Sequence, residues 1–140
     1  MTRYFYALTY KFKDDHGEHS FFIGYFSSKK NANVASDILK TKSGFKENKG
    51  TFITQRIRVL FDKTEVKKSE LVLYEASHEY LDNEGFDNFI VFGLYETRRE
   101  AQIVIAQKSK QHPYIVALEG FCIAECRINQ IGWLDGFSSW

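Results

Sequence analysis

One pattern occurs twice along this chain. Gly24-Tyr25-Phe26-Ser27-Ser28-Lys29-Lys30-Asn31-Ala32 aligns with Gly93-Leu94-Tyr95-Glu96-Thr97-Arg98-Arg99-Glu100-Ala101. An aromatic and β-branched run precedes each segment, Phe21-Phe22-Ile23 in one case and Phe89-Ile90-Val91-Phe92 in the other. A helix-like stretch, a turn and a closing strand follow, the strand starting near Gly50-Thr51-Phe52 or Gly120-Phe121-Cys122. A correspondence over about 50 residues is the mark of a duplicated supersecondary unit. A unit of that size is too small to bury a core alone, so duplication is a route to a stable scaffold.

In the first copy, residues 3–12 read as an aromatic-rich strand, Asp14-Asp15-His16-Gly17 as a turn and residues 19–26 as a returning strand. Ser27 or Ser28 can cap a helix whose apolar positions Ala32, Ala35, Ile38 and Leu39 keep helical spacing. Gly44 stands where a left-handed helix cap belongs, and residues 51–61 read as a closing strand with Thr51, Ile53, Gln55, Ile57, Val59 and Phe61 on one face. The second copy repeats this with strands at 71–80 and 87–95 around Asp82-Asn83-Glu84-Gly85. A Thr97/Glu100 capping box then opens a helix with Ala101, Val104, Ile105 and Lys108 inward, Pro113 ends it, and residues 120–128 close the copy. The expectation is an α+β fold: one domain over residues 1–140, built from tandem β-β-α-β pseudo-repeats. They would form a shared, mainly antiparallel sheet with both helices packed on one side.

The 140 residues carry 44% hydrophobic and 16% aromatic side chains, which excludes disorder as the default. No apolar run reaches the about 18 residues that cross a bilayer, and no signal peptide is read at the N-terminus, so a cytoplasmic protein with no membrane partner is expected. The formal charge of +1 conceals an asymmetry. Residues 1–68 hold 14 Lys and Arg against 7 Asp and Glu, a net of +7, whereas residues 69–140 hold 5 against 11, a net of −6. A basic copy and an acidic copy present two electrostatic faces to partners.

Catalytic and metal signatures are missing from the pattern. No nucleophile elbow, glycine-rich phosphate loop or closed set of zinc ligands is present, and His16, His19, His78 and His112 are scattered over turns and strand ends. Cys122 and Cys126 share a strand face with Ala124, expected to be the core face, and read as buried free thiols. The chain is therefore read as a non-enzyme with no cofactor, no metal and no small-molecule substrate.

Two surfaces remain. Tyr10-Lys11-Phe12-Lys13 and Arg56-Ile57-Arg58-Val59 interleave aromatic and apolar residues with cations, the pattern on which single-stranded nucleic acids stack. The acidic surface is sharper. Glu79, Asp82, Glu84 and Asp87 surround one hairpin tip, with Glu75 further down the strand and Tyr80 and Phe86 as aromatic anchors. A tip of this kind suits a basic cleft, where it pairs with Lys and Arg and speeds association.

His78-Glu79-Tyr80, Phe92-Gly93-Leu94-Tyr95-Glu96-Thr97, Glu119-Gly120-Phe121 and the terminal Trp133-x-x-Gly136-Phe137 resemble a group of small bacterial domains of undefined function that end in W-x-x-G-F. The resemblance spans residues 71–137. The first copy departs from it, having no W-x-x-G-F of its own. In physical terms the motif reads as an anchor, with Trp133 over the sheet, Gly136 turning the chain and Phe137 docking behind it. In style the whole chain is similar to immunity proteins of contact-dependent growth inhibition and related polymorphic toxin systems. That likeness implies an immunity protein that occludes the active site of a cognate toxin's C-terminal nuclease domain, a ribonuclease, through Glu75, Glu79, Tyr80, Asp82, Glu84, Phe86 and Asp87. A single-stranded nucleic-acid-binding protein using the basic copy is the alternative, and a homo-oligomerising scaffold is a third reading.

Overall fold

A computed structural model of the chain describes residues 1–61 and 71–137. Six strands and two helices follow in the order β1 (Thr2–Asp14), β2 (Gly17–Phe26), α1 (Lys29–Leu39), β3 (Thr51–Leu60), β4 (Val72–Leu81), β5 (Asp87–Tyr95), α2 (Arg98–Lys108) and β6 (Phe121–Arg127). Short 3-10 turns at Tyr114–Val116 and Leu118–Gly120 lead into β6. No described helix is long and apolar enough to cross a membrane.

The α+β class and the β-β-α-β element order are as expected, but the shared sheet is not. The strands form two three-stranded antiparallel sheets, ordered β2-β1-β3 and β5-β4-β6. Each third strand returns beside the first strand of its own hairpin, so each hairpin is completed locally. With two sheets there is no common face for the helices: α1 packs on β1 and β2, and α2 packs on β4 and β5.

Two compact units result. The first holds residues 2–58, Leu71 and residues 127–137; the second holds Met1 and residues 59–61 and 72–126. The first unit's core joins Leu8, Tyr10, Phe12, Ile23, Phe26, Ala32, Ala35, Leu39 and Phe45. Residues 127–137, which the sequence reading placed in the acidic copy, pack here. Asn129 N–H donates to Tyr25 O at 2.8 Å, Gly132 N–H to Ile23 O at 2.9 Å and Phe137 N–H to Ser43 O at 2.9 Å. Trp133 lies on Phe21 with ring centroids 4.7 Å apart and donates its indole N–H to Phe22 O. Phe137 stacks on Phe12 and meets Phe21 and Phe45. Gly136 has a φ of 80°, and a methyl there would overlap the Ser43 carbonyl.

That docking explains Gly44. Helix α1 ends at Leu39 with Lys40 as its right-handed cap, so Gly44 is not the helix cap expected of it. Its φ is 87°, and a methyl there would strike Phe137. Pro113 likewise does not end α2, which stops at Lys108; it stands at the entrance to the Tyr114–Val116 turn. The inner face of α2 is the expected one, with Ala101 buried and Val104, Ile105 and Lys108 half-buried, the Lys108 ammonium 5.5 Å from the Phe92 ring centroid. On α1 the buried positions are Ala32, Ala35, Ser36 and Leu39, while Ile38 is exposed. Ser36 is tolerated inside because its hydroxyl donates to Asn33 O at 2.9 Å. Strand β3 does not keep one face inward: Phe52 and Thr54 are half-buried at its start, Ile57 is half-buried and Val59 buried toward its end, and Phe61 just past it is buried. Its last residues belong to the second unit.

The two hairpins match in detail. In each, pairing skips the residue before the glycine: Leu8↔Gly24 is followed by Thr9↔Phe22, and Ala76↔Gly93 by Ser77↔Val91. Each bulge thus leaves one residue, Ile23 or Phe92, unpaired. Ser28 caps α1 by accepting from Asn31 N–H, and Thr97 caps α2 by accepting from Glu100 N–H. The Glu100 carboxylate accepts from the Thr97 hydroxyl at 3.2 Å, a bond to the cap's side chain where the capping box reading expected its backbone amide. Two residues past each bulge stands a fully buried ring with a polar end. Tyr10 donates its hydroxyl to Asn48 O at 2.9 Å, and His78 places Nε2 2.7 Å from Ala117 O. A glycine presses on each ring, Gly50 on Tyr10 and Gly120 on His78.

Candidate functional site

The acidic hairpin lies wholly in the second unit. Strands β4 and β5 pair antiparallel with Leu81↔Asp87, Tyr80↔Asn88, Glu79↔Phe89 and His78↔Ile90. Paired residues point to the same side and alternate along the strand. One face therefore carries Glu79, Leu81, Asp87, Phe89 and Val91, and the other His78, Tyr80, Asn88 and Ile90.

The first of these faces is exposed and largely apolar. Leu81 is 71% exposed, Phe89 58% and Val91 39%, and Phe86 at the tip is 66% exposed. An exposed apolar strip on an edge strand invites a partner. Two carboxylates sit within it. A hydrogen bond and charge interaction with Asp87 hold the Glu79 carboxyl above its ordinary value of 4.5. A groove of about 390 Å³ runs beside the pair, bordered by Glu119, Phe121 and Cys122 as well as Glu79 and Asp87.

The expected site residues do different work. Glu79, Phe86 and Asp87 are exposed as the sequence reading required, and Glu84 stands exposed on the tip. Asp82 is a turn former: its carboxylate accepts from Phe86 N–H at 2.9 Å, Glu84 N–H at 3.0 Å and the Asn88 side-chain amide at 3.2 Å. The Phe86 amide bond, with the others, holds its carboxyl below the ordinary 3.8. Replacing Asp82 would alter the turn as well as the surface. Glu75 is half-buried, and its charge, after burial, helps push the Cys126 thiol up to about 12. Tyr80 is half-buried on the opposite face, where its ring meets His78 at 5.4 Å.

Four residues escaped the sequence reading. Leu81, Phe89 and Val91 look like core positions in a hydrophobic strand, and only the register shows them facing out. His78 was passed over as one of several scattered histidines. Its position two residues past the hairpin irregularity, matching Tyr10, was the available signal. The cysteines also differ from expectation: Cys122 is exposed and Cys126 half-buried, because β6 keeps Phe121 and Ile123 half-buried on its other side.

Elsewhere, His19 is 2.9 Å from Asp14 and stacks on Phe12, and no group of His, Cys, Asp and Glu among the described residues could hold a metal ion. Tyr10 and Phe12, the aromatics of the nucleic-acid reading, are 1% and 7% exposed and belong to the core, while its cations Lys11, Lys13, Arg56 and Arg58 are exposed. Compared with known proteins, the chain matches no family model, no curated sequence and no solved structure.

Proposed function

We propose that this chain is a non-catalytic, cytoplasmic immunity protein that neutralises a cognate toxin, an RNA-degrading one, by laying its acidic hairpin over the toxin's basic active site. The observation that supports this most is the pairing of an unusually exposed apolar face with two mutually repelling carboxylates. Phe86, Phe89 and Leu81 offer area to bury, and Glu79 and Asp87 offer a place where a Lys or Arg is more welcome than water. Nuclease sites supply such cations because they must bind phosphates. We also infer that the two units descend from one duplicated β-β-α-β element, which the matched bulges, caps and ring-over-glycine pairs support. The second copy would then have become acidic and exposed on its hairpin while the first kept Tyr10 and Phe12 of its hairpin in the core.

Titration calorimetry against a candidate toxin's C-terminal nuclease domain tests the reading. A one-to-one complex with Kd on the order of nanomolar is expected, as for dedicated inhibitor pairs. The pH dependence has a definite sign. The raised carboxyl of Glu79 holds its proton more tightly in the free protein than in an unfolded chain, whereas a partner's cation favours the ionised form. Binding should therefore release a proton and strengthen as pH rises from about 4.5 until the pair is fully ionised. No heat with a folded toxin domain, together with salt-sensitive retention of short RNA, would replace this reading with nucleic-acid binding.

A further inference from the structure

The two three-stranded sheets have four edge strands, β2 and β3 in one and β5 and β6 in the other. A free edge is a row of backbone donors and acceptors open to another chain, and proteins blunt it with charges or cover it. Three of the four are treated in this way. β3 carries Arg56 and Arg58, and β6 carries Glu125 and Arg127. β2 is covered by residues 129–133: Asn129 N–H donates to Tyr25 O, Gly132 N–H to Ile23 O and the Trp133 indole to Phe22 O.

β5 has neither protection. Aligning Gly93 with Gly24 sets Val91, Phe92 and Leu94 against Phe22, Ile23 and Tyr25. Among the described residues, no backbone N–H from outside the sheet donates to the β5 carbonyls. From Asn88 to Tyr95 the strand has no charged residue and no proline. Phe89, Ile90 and Val91 are 58%, 43% and 39% exposed, so both faces carry apolar surface out to the edge. Matching edges are thus covered in one unit and bare in the other.

Charge selects the occupant. An uncharged run offers a basic or acidic strand nothing to pair with, whereas it suits its own copy. Antiparallel pairing about a two-fold axis sets the strand against itself reversed, and no like charges then oppose within Asn88–Tyr95. Paired over the full length of β5, the two Asp87 carboxylates lie about 25 Å apart, well beyond a Debye length of about 8 Å. Each Asp87 reaches the start of the other copy's α2, where the formal charges of Glu96, Arg98, Arg99 and Glu100 sum to zero.

We propose that β5 pairs antiparallel with β5 of a second copy of this chain, joining two three-stranded sheets into one of six strands. An isologous contact of this kind uses up the edge and closes at two chains. It leaves the outer faces of both hairpins open, so it goes beyond the toxin-binding surface and does not depend on it. A contact made by one strand falls below the about 1,200 Å² of a standard interface, which makes the dimer weak, with Kd on the order of 100 µM.

Sedimentation equilibrium of the full chain alone, from about 10 µM to about 1 mM, tests the proposal. The mass should rise from one chain toward two and no further. Val91→Lys sets like charges against each other at the middle of the pair and should raise Kd about fivefold or more. Ile53→Lys adds the same charge to β3 at a position 43% exposed and should leave Kd unchanged. Amide exchange on the unaltered chain, above and below Kd, gives a readout that needs no variant to fold. Protection should grow with concentration over residues 88–95 and not over residues 121–127 of β6. A single-chain mass at about 1 mM, equal weakening by the two lysines, growth past two chains, or added protection on β6 in place of β5 would each overturn the proposal.

Discussion

Phe137→Ala should lower stability by about 3 kcal/mol, seen as a drop of roughly 10 °C in thermal midpoint. Phe137 is near the chain's end, where truncation is usually harmless. Here its ring touches Tyr10, Phe12, Phe21, Phe45 and Trp133, and its backbone N–H is tied to Ser43 O. Phe137 is half-buried, and removing it opens a void against Tyr10, Phe12 and Phe21, whose positions are set by strands β1 and β2, so the site collapses only in part around the loss. Phe86→Ala removes the same atoms from a ring 66% exposed at the hairpin tip, and should change stability by less than about 0.5 kcal/mol. Thermal unfolding of the two variants side by side checks the contrast. Equal losses would mean that the C-terminal anchor is not part of the first unit's core.

The second large effect is on association. The double variant Glu79→Lys/Asp87→Lys should slow binding to a basic nuclease domain on the order of 100-fold at low salt while leaving unfolding nearly unchanged. Both side chains are exposed, and two lysines there replace one like-charge pair with another, so the stability of the free protein changes little. The same change converts attraction for the partner's cations into repulsion. Stopped-flow association at two salt concentrations separates this from a fold defect, because a long-range electrostatic effect shrinks as salt rises and misfolding does not. Asp82 is left in place because its carboxylate builds the turn.

The sequence was legible where a local rule decided the outcome. The bounds of β5, the caps at Ser28 and Thr97 and the inner face of α2 all follow from short-range periodicity and capping chemistry. It was misread where a distant contact decided. Gly44 was assigned to a nearby helix end, yet it is shaped by Phe137, far along the chain. The terminal Trp-x-x-Gly-Phe was grouped with the acidic copy by proximity, yet it packs on the first copy. The site divided along the same line. Charge at the hairpin tip was visible in Glu79, Glu84 and Asp87, but the bulge before Gly93 sets which residues face outward. That bulge re-aims β5 and hid Phe89 as an apparent core residue. A one-residue slip reverses every side chain beyond it, and periodicity alone does not reveal the slip.

The central claim is that the outer face of the β4–β5 hairpin is the partner surface. Backbone amide exchange on the free chain and on its complex with a cognate nuclease domain tests it most directly. Added protection should concentrate over residues 79–91, with residues 29–49 of the basic copy unchanged. Protection confined to the basic copy, in a complex of equal affinity, would contradict it.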